Sequence, residues 1–123
     1  MGKYDGYIVS WKARLARERS ERQRRTEKIR GVAAKCAEFL GSHYGVKTVY
    51  VFGSLIRNKF VHDKSDIDLA VEGLPAREYF SALNDLWDLV PPGVEIDLVP
   101  LEDAHERLRE RISKEGKLLY ERK

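Results

Sequence analysis

Thiol chemistry is nearly absent from this chain: one cysteine, Cys36, among 123 residues. It cannot form an intrachain disulfide. It falls among Val32, Ala33, Ala37, Phe39 and Leu40, so a small buried residue is expected there and not a nucleophile. Histidine is also sparse. His43, His62 and His105 are scattered, and none pairs with the cysteine at zinc-ligand spacing. His62 falls in a loop and is expected at the surface. No apolar run approaches the roughly 20 residues of a membrane span. Met1 to Ser10 lacks the apolar core of a signal peptide. The expectation is a soluble, cytoplasmic protein. The chain has no internal repeat and no low-complexity linker. Its length allows one domain with one modest core, so part of any acceptor site is expected to come from a partner.

Charge, by contrast, is abundant. Charged residues are 35% of the chain, yet the hydrophobic share of 42% still permits a globular fold. The charge is uneven. Lys12 to Arg30 holds nine bases against three acids, a net of +6, so the rest of this +3 chain carries −3. The result is an acidic body behind a basic N-terminal segment.

Trp11 to about Leu40 has no proline, only Gly31, and many good helix formers, so it reads as a helix capped by Ser10 and stopped by Gly41. Ile29, Val32, Ala33, Cys36, Ala37 and Leu40 recur at helical spacing and are expected on the core. Ala16 to Lys28 lacks an apolar stripe and is expected to meet solvent or a partner. Val46–Phe52 reads as a strand, Ser54 to about Phe60 as a short helix, and His62 to Ser65 as a turn. Ile67–Val71 is a second strand. Ala76–Val90 reads as a helix with Tyr79, Phe80, Leu83, Leu86, Trp87 and Val90 on one apolar face, broken by Pro91-Pro92-Gly93. Val94–Val99 is a third strand with Val94, Ile96 and Leu98 on one face. Leu101–Lys114 is a last helix, with Gly116 as its stop, and Leu118-Leu119-Tyr120 docks back on the body. This order predicts an α/β or α+β sheet with packed helices. We divide it into a basic N-terminal helical extension (residues 1–45) packing on a catalytic unit (46–123), one compact domain together.

Three acids carry the chemistry. Asp66 and Asp68 sit two apart at a strand entry, which puts both on one face, opposite Ile67. Carboxylates that close repel unless a cation lies between them. Hard oxygen ligands suit Mg²⁺ or Mn²⁺, which share their shell with substrate phosphates. The pair alone is a weak motif, equally compatible with solvated acids at a strand end. Asp97 adds weight: it interrupts the apolar strand Val94–Val99, where an isolated buried carboxylate is costly and a metal or polar partner is expected. Glu95 shares its face and is the alternative third ligand. An Arg partner or solvent would also satisfy Asp97. Three carboxylates on neighbouring strands can hold two ions across an in-line displacement. Upstream, Gly53-Ser54 ends the first strand; glycine admits close backbone approach, and the hydroxyl and nearby N–H groups suit phosphate oxygens. Arg57 lies one turn on and could add a charge-assisted contact.

Val51-Phe52-Gly53-Ser54-Leu55-Ile56-Arg57, then Ser65-Asp66-Ile67-Asp68-Leu69, then Glu95-Ile96-Asp97-Leu98-Val99 together resemble the polymerase-β-like nucleotidyltransferase superfamily, and within it the minimal nucleotidyltransferase group found beside HEPN-domain toxins. The resemblance runs from Val46 to Tyr120. It implies that fold, a small mixed sheet with flanking helices. It implies Gly53 and Ser54 positioning a triphosphate, with Arg57 at an often basic position. Asp66 and Asp68 would bind two Mg²⁺ ions, with Mn²⁺ the substitute, and Asp97 would complete that site and help activate the acceptor hydroxyl. ATP would donate AMP, the acceptor would be a tyrosine of a HEPN toxin, and the protein would act as an antitoxin. Eleven residues, Leu55 to Ser65, separate the two motifs, one more than is usual in the group. The group's pattern does not include the long basic helix. That helix reads equally as a solvated charged face or as an arm for a partner or a second copy; a nucleic-acid contact ranks below both. Two other functions stand beside the transferase reading: a module that neutralises a toxin by contact alone, and a small-molecule nucleotidyltransferase.

Overall fold

The computed structural model describes residues 5–57 and 65–123; the side chains of residues 5–9, Ser54, Arg57 and Ser65 fall outside the description. The chain runs α1 (Asp5–Tyr44), β1 (Thr48–Phe52), α2 (Ser54–Arg57), β2 (Ser65–Glu72), α3 (Tyr79–Leu89), β3 (Val94–Pro100), α4 (Glu106–Glu115) and β4 (Lys117–Glu121), with short 3₁₀ turns at Ala76–Glu78 and Leu101–Asp103. The turn expected at His62-Asp63-Lys64 and the end of the short helix beyond Arg57 lie outside the described residues. The α+β expectation holds. A four-stranded mixed sheet has the order β3-β2-β1-β4. β1 pairs antiparallel with β2 and with β4, and β2 pairs parallel with β3. The parallel pair needs a crossover, which α3 supplies.

α1 is longer at both ends than its sequence predicts. It passes through Ser10 without using it as a cap, because nothing from Gly6 to Val9 costs a helix more than about 1 kcal/mol and no proline interrupts it. At the other end Gly41 is internal. Its missing side chain makes room for the Tyr120 ring of β4, which an added Cβ would strike. The end falls instead at Gly45, in the left-handed region at φ +63°, with its N–H donating to the Gly41 carbonyl at 3.2 Å. The two halves of α1 differ as expected. From Ser10 to Arg24 every residue but Leu15 is exposed, whereas Ile29, Ala33, Cys36, Ala37 and Leu40 are buried. Thr26 is buried at the boundary, its hydroxyl donating to the Arg22 carbonyl at 2.9 Å.

The buried half of α1 packs with Val49, Val51, Ile67, Leu69, Val71, Ile96 and Leu98 of the strands and with Ala82 and Leu86 of α3. Cys36 lies inside this cluster, and burial pushes its thiol up to about 11. α3 buries a narrower stripe than expected. Ala82 and Leu86 are buried and Tyr79, Leu83 and Val90 pack against the core, but Phe80 stays 80% exposed and Trp87 49%. At about 100° per residue, Trp87 and Phe80 both turn roughly 100–120° away from Leu86, to the same flank, beyond the edge of the core.

The last helix begins later than expected, at Glu106. It buries Ile112 beside Tyr50, Leu101 and Glu72, so it covers one end of the second face of the sheet. Gly116 closes it, donating to the Ile112 carbonyl at 2.8 Å. Leu118-Leu119-Tyr120 docks back as the edge strand β4. Among the described residues no helix is long and apolar enough to cross a membrane.

Candidate active site

The end of the second face that α4 leaves uncovered carries the acids. In β2 the alternation puts Ile67 and Leu69 into the core and Asp66 and Asp68 on the other side. In β3, Ile96 and Leu98 go inward and Glu95 and Asp97 outward. The parallel register then sets Asp66 opposite Glu95 and Asp68 opposite Asp97. One row of four carboxylates results, two from each strand. Asp66, Glu95 and Asp97 are exposed and Asp68 is half-buried. The burial expected for Asp97 is therefore corrected. It faces away from the core, and its carboxylate reaches solvent instead of being stranded in an apolar strand.

Asp68 sits at the centre of the charge. Burial raises its carboxyl above the usual range, and the charges of Asp97 and then Asp66 push it the same way. Tyr79 feels Asp97 too. Burial first and the Asp97 charge second raise its phenol, whose hydroxyl donates to the Leu98 carbonyl at 2.7 Å. Among the described residues no base or hydrogen-bond donor neutralises Asp66, Asp68 or Asp97. Among the same residues, no three His, Cys, Asp or Glu side chains close around an ion on their own. This open donor set suits an ion such as Mg²⁺, which keeps water and substrate oxygens in its shell, better than one that needs an all-protein cage.

Gly53 joins the row from β1. Phe52 is the register partner of Asp68, and Gly53 follows it at φ +77°. A Cβ on Gly53 would collide with Asp68 Oδ2. The missing side chain is thus the space the carboxylate occupies. Gly53 also starts α2, its carbonyl accepting from the Ile56 N–H at 3.1 Å. Ser54 and Arg57 are the first and last residues of α2, the short helix that follows Gly53, and their side chains lie outside the described set. The structure thus brings Gly53, Asp66, Asp68 and Asp97 together. It also brings Trp87, which the sequence assigns to the core, to a groove shared with Asp66. The signal for Trp87 was its angle on α3, one step past Leu86.

The chain matches the family described as polymerase beta, nucleotidyltransferase, over residues 34–123. A Methanocaldococcus jannaschii protein named "Putative protein adenylyltransferase" is 39% identical over 74 residues, which span 58% of this chain and 72% of that one. A solved "putative minimal nucleotidyltransferase" superposes with a TM-score of 0.59 at 27% identity, covering 75% of this chain and 93% of the other. A solved toxin–antitoxin assembly with AMP-PNP gives 0.59 at 23% identity over 73% and 74% of the two chains, a likeness of fold. A match over most of the chain, with the acids and glycine of the motif gathered at one open sheet face, makes this chain a member of the polymerase beta nucleotidyltransferase family.

Proposed function

We propose that the protein transfers AMP from ATP to a hydroxyl, that of a tyrosine on a HEPN-domain toxin, and so acts as its antitoxin in the cytoplasm. One observation carries the reading: Asp66, Asp68 and Asp97 share an open face beside Gly53, whose missing Cβ makes room for Asp68. The likeness to a relative named for protein adenylyl transfer and to the fold of a toxin–antitoxin assembly supports the acceptor class.

In this reading the acceptor oxygen forms a bond to the α-phosphorus of ATP. The bond from that phosphorus to the pyrophosphate oxygen breaks, and the hydroxyl proton passes to Asp97 or through it to water. Gly53, Ser54 and Arg57 would hold the triphosphate in line. Asp66, Asp68 and Asp97 would hold Mg²⁺, which when bound neutralises charge on the phosphates. The exposure of Asp97 suits its part, since an acceptor on another molecule must reach it. The catalytic unit spans 46–123, behind the basic helical extension.

The test is incubation with labelled ATP and Mg²⁺, with and without the product of the adjoining gene, followed by mass spectrometry for an added nucleotide. We expect label on a partner tyrosine, reduced at least about 100-fold in the Asp66→Asn/Asp68→Asn double variant. If that variant neutralises the toxin as well as the native protein does, neutralisation is by contact and the catalytic account fails.

A further inference from the structure

Trp87 walls a groove that no described residue fills. Its neighbour Leu86 is buried, yet Trp87 keeps 49% of its surface exposed. The groove, about 530 Å³, is lined by Asp66, Trp87, Gly93, Val94 and Glu95. That volume falls in the range of small-molecule sites, about 300–1,000 Å³. Gly93 holds the turn after Pro91-Pro92 at φ +86°, and a Cβ there would meet nothing within 4 Å, so the rim is open. A half-exposed indole forgoes apolar burial, but it offers a flat ring face on which another ring can stack.

Asp66 belongs to two features at once: it lines this groove and it is one of the clustered acids. A nucleotide whose phosphates lie at those acids carries its base only a ribose away. We propose that this groove is the nucleobase subsite, with Trp87 stacking on the base; the inference rests on the transfer reading above. The occupant is the base of the donor and not the acceptor ring for a physical reason. A free nucleotide has only this chain to hold it, whereas an acceptor hydroxyl arrives on its own scaffold. Glu95 adds a carboxylate at the same groove, which accepts hydrogen bonds from N–H groups on the edge of a base.

The experiment titrates the full chain with AMP-PNP and with inorganic tripolyphosphate, both with Mg²⁺. Trp87→Ala is expected to weaken AMP-PNP about ten- to hundredfold and to leave tripolyphosphate unchanged. Trp87→Phe keeps a ring and is expected to stay within about threefold of the native chain. Circular dichroism confirms that both variants fold. The chain has two tryptophans, so Trp11→Phe leaves Trp87 as the sole indole, and AMP-PNP but not tripolyphosphate quenches its emission. Unchanged AMP-PNP affinity in Trp87→Ala, with tripolyphosphate still bound, overturns the subsite and leaves the transferase reading intact. Quenching by N-acetyltyrosinamide and not by AMP-PNP overturns it as well, by giving the groove to the acceptor. A native chain that binds neither phosphate compound removes the transferase reading and the subsite together.

Discussion

Along β2 and β3, neighbouring residues serve opposite ends. Ile67, Leu69, Ile96 and Leu98 are buried against α1 and α3, while Asp66, Asp68, Glu95 and Asp97, interleaved with them, crowd like charges on the open side. The inner set gains free energy by leaving water. The outer set loses some, since carboxylates in register repel one another. Among the described residues, the inner face supplies stability and the row of acids costs some of it. The difference can be tested from either face. Leu98→Ala opens a void in the inner face and is expected to cost about 2–4 kcal/mol, measured by urea unfolding. Transfer per folded molecule should survive it. A variant that folds stably yet loses transfer would mean that the two faces are not separable.

Gly53→Ala tests where the faces meet. Its Cβ would enter the space of the Asp68 carboxylate while the backbone stays at φ +77°. Gly45→Ala is the control, at φ +63° with nothing within 4 Å of its Cβ. Strain alone costs of order 1–2 kcal/mol in each. Only Gly53→Ala should also lower transfer, by about tenfold or more, because it displaces an acid of the row. Equal transfer in the two variants would reduce Gly53 to a turn residue.

What the sequence reveals divides along the same line. Period-two spacing assigns the face of Asp66, Asp68 and Asp97 correctly, because side-chain direction in a strand is local. It does not reveal the exposure of Asp97. That depends on how far α4, later in the chain, extends over the second face, and α4 covers only the end near Tyr50 and Glu72. Gly41 and Gly45 are both plausible helix stops by composition. The choice falls to Tyr120, whose ring needs Gly41 bare and which lies at the other end of the chain. Trp87 lies outside the core because the apolar stripe on α3 is wider than the core it meets. In each instance the local pattern is legible and the packing partner, distant in sequence, is not.

The smallest effect is also the most direct measure of the cost of the outer face. Asp68 is raised in the folded state above its ordinary range, by burial and by Asp97 and Asp66. Over the pH window just above that range the folded chain holds a proton that the unfolded chain has lost. Stability therefore falls as pH rises through the window. Asp68→Asn removes the titrating group, so without nucleotide or metal it should melt above the native chain at pH 7. The gap should narrow as pH falls through the ordinary aspartate range and close below it, where both states of the native chain are protonated. Adding Mg²⁺ and AMP-PNP should reverse the order, since a ligand that binds the folded native chain stabilises it by mass action and the variant gains less. A variant that is less stable at pH 7 without ligand, or a gap that does not change with pH, would show that the crowding of Asp68 is relieved within the protein itself.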